Sequence, residues 1–238
     1  MKKNPNLNRE IREAIESSLG DILNEAYVVE AKKYNLRTEL LSDATKKAAQ
    51  EDLDGFVAAL NKVSAELDGA DRDNANNKAS DFRSLKADEV HNMNAAFLRA
   101  QYLDNISDLN SKITMDSLVF LRLERDFGTF DEWQRDFIAC CMASRDGYAL
   151  TGYSLFLKRY INFVIDNEAK NVPIGVLPII VMDVSDSAYF RDYLNNRKTY
   201  VMAMMKELNW PLIEARVSRA EKVAKIPAPS KSNAGGLQ

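Results

Sequence analysis

Apolar residues recur every three or four positions in two stretches of the chain, and that spacing predicts amphipathic helices. The first stretch carries Ile11, Ile15, Leu19, Ile22, Leu23 and Ala26, and the second Leu53, Phe56, Val57, Leu60, Val63 and Leu67. Leu67-Asp68-Gly69 reads as a helix stop and Ala70 to Ser80 as a polar, Asn-rich loop, with a further helix expected over Asp88 to Leu103. Thr129-Phe130-Asp131-Glu132 has the spacing of a capping box and predicts a helix through Trp133 and Phe137 to about Ser144. Tyr153 to Ile165 and Val176 to Val184 are rich in aromatic and β-branched residues and predict strands. After Asp183 the helical spacing returns through Tyr189, Tyr193 and Tyr200 to Leu208, and Pro227 to Gln238 carries no core pattern. The pattern is that of an α+β protein, helical up to residue 110 and mixed beyond it.

Composition narrows the function classes. With 238 residues, 46% hydrophobic and 28% charged, the chain can bury a sizeable core. A net charge of −3 and a pI near 5.4 argue against a broad nucleic-acid-binding face. The two cysteines, Cys140 and Cys141, are neighbours that point about 100° apart on a helix, which favours a reducing compartment over a disulfide scaffold. No apolar run reaches the ~20 residues of a membrane span. Met1 to Pro5 lacks the apolar core of a secretory signal, and Glu10, Glu13 and Glu16 do not suit a mitochondrial presequence.

Leu177 to Phe190, with Asp183-Val184-Ser185-Asp186-Ser187-Ala188-Tyr189-Phe190 at its end, resembles the D-V-W-E-H-A-Y-[YF] signature of the iron/manganese superoxide dismutases. Asp192-Tyr193, Asn196-Arg197, Tyr200-Val201 and Leu208-Asn209-Trp210 continue the likeness, Phe127-Gly128-Thr129-Phe130 resembles the family's F-G-S-F, and Phe56-Val57 with Leu60-Asn61-Lys62 its Y-V-x-x-L-N-K. The resemblance covers roughly residues 40 to 212. It implies an N-terminal helical hairpin followed by a small antiparallel three-stranded sheet with helices. Residues 1–110 then form a helical domain with an N-terminal extension, 111–215 a dismutase-like α+β domain, and 216–238 a C-terminal extension.

Carried over residue by residue, the family's metal ligands fall on Ala48, Met93, Asp183 and Ser187, so only the carboxylate is kept. The gateway tyrosine becomes Phe56, and Glu168 is a candidate for the group beside the metal-bound water. The family site needs three imidazoles, and the chain has one histidine, His91. Imidazole supplies most of the affinity for such a metal. The resulting expectation is a chain that is not an enzyme and holds no metal, with Met93 packed into the vacated space and Asp183 bonded to polar neighbours such as Ser187. The Glu that crosses the family's two-fold interface becomes Asp186, facing Ser187, so the expected partner is a non-identical dismutase-like chain bound around Asp186, Ser187 and Tyr189.

Similar subunits pair in the mitochondrial small ribosomal subunit. The expected role is therefore structural and mitochondrial, in a large assembly with neighbouring proteins and limited rRNA contact. An accessory subunit of a respiratory complex or ATP synthase is the alternative, and an active dismutase the third reading. His91 reads as a surface or interface residue, Cys140 and Cys141 as helix packing, Met202, Met204 and Met205 as core, and Arg191, Arg197 and Lys198 as a solvated face.

Overall fold

The computed structural model describes residues 28–107 and 111–225. The stretch from Ile11 to Ala26 and the tail beyond residue 225 lie outside the described residues. Helices α1 (Asp43–Asp68) and α2 (Asp81–Asn105) form the expected hairpin. Each begins at a serine: Ser42 Oγ accepts from the Thr45 amide and Ser80 Oγ from the Arg83 amide, which satisfies donors that a first turn leaves free. The cap at Ser80 starts α2 seven residues before the position expected from its apolar spacing. Val29 and Asn61 exchange two hydrogen bonds, at 3.0 and 2.9 Å, and tie the chain ahead of α1 to that helix.

Helix α3 (Leu118–Phe127), which was not among the expected helices although Val119, Leu123 and Phe127 have helical spacing, ends at Gly128, whose φ of 92° suits glycine. Thr129 then caps α4 (Phe130–Ala143), its hydroxyl accepting from the Glu132 amide at 3.0 Å. The Glu132 carboxylate goes to Arg135 at 2.8 Å, so only half of the capping box forms.

The sheet has three antiparallel strands in the order β2-β1-β3: β1 (Tyr148–Ser154), β2 (Arg159–Ile165) and β3 (Val176–Asp183). The stretch expected as one strand from Tyr153 is thus the end of β1, a turn and β2. No glycine or proline marks the turn; Ser154 builds it, its hydroxyl accepting from the Leu157 amide at 3.1 Å and its carbonyl from the Lys158 amide at 2.8 Å. Strand β1 is buried along its whole length, so it lacks the alternation that announces a strand. Gly147, just before it, lies so close to β2 that a Cβ there would meet the Ile165 carbonyl oxygen at 2.2 Å.

Helices α5 (Asp186–Tyr193), α6 (Arg197–Met204) and α7 (Trp210–Ala224) follow. The boundary expected at residue 215 falls inside α7, whose Val217 and Ala220 are buried, so the C-terminal extension does not start there. Polar contacts fasten this helix too: the Glu214 carboxylate accepts from the Leu118 and Val119 amides, both at 2.9 Å, and so caps α3 from another element. The helical and mixed halves share one core, in which Leu98, Tyr102 and Leu103 of α2 pack with Ile179 to Met182 of β3. Asn105 Nδ2 donates to the Val181 carbonyl at 2.9 Å across that seam.

At the other end of the core, Trp133 is fully buried among Phe130, Phe137 and Trp210, and its indole N–H donates to Thr151 Oγ1 at 3.0 Å. Trp133→Ala is expected to cost about 3–5 kcal/mol, as for other buried aromatic truncations, measured by denaturant melts. A loss below about 1 kcal/mol would mean that the cluster collapses into the gap.

Candidate functional site

Strand β3 delivers Asp183 to the centre of the molecule. Its side chain is fully buried, and Tyr148 of β1 pairs with it across the sheet. One carboxylate oxygen, Oδ1, accepts from the Ser185 amide at 2.9 Å and the Ser185 hydroxyl at 2.6 Å. The other, Oδ2, lies against Nη1 of Arg99 in an ion pair. Ser187 is one step further out: its hydroxyl meets that of Ser185 at 3.1 Å, so the neighbour of Asp183 is Ser185 and not the expected Ser187.

Arg99 stands on the inner face of α2 among Ala95, Ala96, Leu98, Tyr102 and Leu103, and is only 3% exposed. Besides Asp183, its Nη2 is 3.4 Å from Asp52 Oδ2 on α1 and donates to Ser187 Oγ on α5 at 3.5 Å. One guanidinium therefore joins α1, β3 and α5. The Asp52 side chain is 40% exposed, so the network that starts at the buried Asp183 ends at the surface of α1.

Burial raises the Asp183 carboxyl above its ordinary range, against the pull of Arg99 and the Ser185 donors. Burial works against the Arg99 charge as well, but the Asp183 carboxylate overcomes it and the guanidinium is held more firmly protonated. Arginine does not surrender its proton in proteins, so the guanidinium keeps its charge beside Asp183.

Three tyrosines frame it. Tyr200 OH donates to the Asp183 carbonyl at 2.7 Å and lies 2.9 Å from Tyr102 OH, while Tyr148 OH and Arg99 Nε are buried with no hydrogen-bond partner, and Arg99 Nη1 and Asp183 Oδ2 meet as charges without hydrogen-bond geometry. Burial pushes all three hydroxyls up, so they remain protonated.

The structure separates the residues that the resemblance brought together. Met93 is 49% exposed, because it sits six residues before Arg99 on α2 and outside its buried face. It fills no vacated space, and Arg99 is the α2 residue that meets Asp183. Ala48 is half-buried, one helical turn before Asp52 on α1. Glu168 contributes its carbonyl oxygen to Asn94 Nδ2 at 2.8 Å. Phe56 packs edge-on against the ring of His91, at 6.1 Å between centroids.

Of the three residues expected at the partner surface, Asp186 and Ser187 are exposed, whereas Tyr189 is 6% exposed. Tyr189 stacks on Tyr200 and donates to Asp186 Oδ1 at 2.9 Å, because α5 turns that side chain inward. Arg197 is no solvated charge either: it donates to the Ser144 and Arg145 carbonyls and to Tyr189 OH. Met204 and Met205 are core, as expected, and Met202 is 43% exposed.

These residues do not fit an iron or manganese ion. Both oxygens of Asp183 are engaged, one of them by a cation that would repel a second. Serine and alanine replace no imidazole, and His91 belongs to the Phe56 contact. Among the described residues no group of three His, Cys, Asp or Glu side chains could hold a metal.

Two measurements follow from this geometry. Met93→Ala should change stability by less than about 0.5 kcal/mol, as surface substitutions do. Arg99→Ala should cost about 3–5 kcal/mol, because it leaves a buried carboxylate without its counter-charge. Denaturant melts of the two variants check this, and the reverse order would return Met93 to the core. Elemental analysis of the purified chain should find no stoichiometric iron or manganese, and close to one metal ion per chain would overturn the misfit.

Comparison with known proteins places this architecture. Residues 117–216 match the model of the C-terminal domain of iron/manganese superoxide dismutases. An iron superoxide dismutase of Aquifex pyrophilus is 30% identical over 171 residues, which are 71% of this chain and 79% of that protein. One from Cupriavidus metallidurans is 29% identical over 168 residues, 70% and 82% of the two chains. A manganese superoxide dismutase of Mycolicibacterium smegmatis is 29% identical over 99 residues, 41% and 48%. These relatives are named as enzymes, and that overturns the expectation that the chain is not one. On its fold and on these similarities, the chain belongs to the iron/manganese superoxide dismutase family.

Proposed function

We propose that the chain serves as a structural subunit of a large assembly, joined to a non-identical, dismutase-like partner through the exposed face of α5. The observation that carries this reading is the Arg99–Asp183 pair, which gives the buried centre of the fold a structural occupant of its own. The face of α5 supports it: Asp186, Ser187 and Arg191 are exposed beside Phe190, 47% exposed, with Leu194 at 63% just past the helix. An aromatic anchor ringed by polar groups is what the centre of a protein interface needs. The assembly to which the sequence resemblance points is the small subunit of the mitochondrial ribosome, where limited rRNA contact would be added to the protein contacts. The relatives' names favour a second reading, superoxide dismutation by this chain itself.

Native affinity purification with identification of the co-purified chains tests the first reading. The chain should travel in a large complex with a dismutase-like partner, and alone it should sediment as a monomer. Phe190→Asp should abolish the association and leave the melting temperature nearly unchanged. A tight homodimer, or a chain that travels alone in the cell extract, would overturn the proposal. Dismutase activity of the purified chain together with one bound metal would establish the second reading instead.

A further inference from the structure

We infer that Arg99 is a tethered substitute for the family's metal ion: the fold requires a cation where α1, α2, β3 and α5 meet, and the chain supplies it covalently. The junction is anionic without it. Asp183 is fully buried and Asp52 faces the same guanidinium from α1. The remaining donors to Asp183 are the neutral amide and hydroxyl of Ser185. A carboxylate sealed in the interior without a counter-charge is strongly disfavoured.

The shape of the substitute matters as well as its charge. Nη1 serves Asp183 while Nη2 reaches Asp52 and Ser187, a division of labour that a planar fork performs and a single ammonium does not. Asp52 is partly exposed at the edge of the junction, so truncating Arg99 should leave a space reachable from solvent that binds a small planar cation of the guanidinium class. The inference stands apart from the assembly reading, since it concerns the isolated chain.

Thermal melts of Arg99→Ala with guanidinium chloride or methylguanidinium at about 10 mM test it, a concentration at which denaturation by the salt is negligible. Sodium chloride and urea at equal concentration serve as controls. The variant should melt below the native chain, and guanidinium should raise its melting temperature saturably while leaving the native chain unmoved. Arg99→Lys should fall between the two. If Arg99→Ala does not fold, Asp183→Asn added to it removes the uncompensated charge and should restore a cooperative transition. A folded Arg99→Ala that guanidinium leaves unmoved, an Arg99→Met variant that melts with the native chain, or a double variant no better than Arg99→Ala would each overturn the inference.

Discussion

The contact between Arg99 and Asp183 joins the two halves of the molecule at a point where packing alone cannot. Asp183 ends the third strand inside the core, and a buried carboxylate is tolerated only with a partner of opposite charge and with its remaining lone pairs filled. Ser185 donates to one oxygen, and the Arg99 charge lies against the other. Because Arg99 rides on α2 and also reaches Asp52 on α1 and Ser187 on α5, the position of the hairpin against the sheet is tied to this one charge. The tyrosines follow from the same constraint. Tyr200 satisfies the Asp183 carbonyl, Tyr102 meets Tyr200, and both stay protonated because burial opposes their ionisation.

A buried ion pair is weak evidence for stability taken as a whole, since apolar residues of equal volume often do as well. What it supplies here is position. Any other register of α2 would leave either Arg99 or Asp183 unpaired in the core, and each such mistake is costly. The apolar seam between α2 and β3, with Leu103 and Val181 both fully buried, gives the area of contact. The charge selects the register within it.

Much of the frame was legible in the sequence, and the reason is local chemistry. Thr129 caps α4 because a hydroxyl two bonds from the backbone can accept from the Glu132 amide whatever else surrounds it. The signature around Asp183 located the end of β3 for the same reason, since that run of residues also carries its own turn into α5. Strand β1 was hard to see because full burial removes alternation, whereas α3 carries a local signal in the Ser117 hydroxyl, which accepts from the Phe120 amide and is joined there by Glu214. In α2 the motif and the helical spacing point to different residues. Motif matching put Met93 at the centre, while the helical spacing of Ala95, Arg99, Tyr102 and Ile106 sets one charged residue in an apolar stripe, and that oddity was the signal for Arg99.

The same logic explains why α5 separates into an inner and an outer surface so sharply. Tyr189 is drawn inward by stacking on Tyr200, and its hydroxyl is held by Asp186 and by Arg197. Arg197 in turn bonds two carbonyls of the loop that leads into β1, so the helix is fixed to the sheet from below. With its inner residues committed, the helix has only Phe190 left as an exposed apolar group, beside Ser187, Arg191 and Asp186. Asp186 cannot serve an outside partner with both oxygens free, because Tyr189 already occupies one. Side chains already bonded within the chain have less freedom to lose, which would lower the ordering cost of the proposed association. In the proposed pairing, Phe190 and the adjoining Leu194 would set where the partner places a pocket.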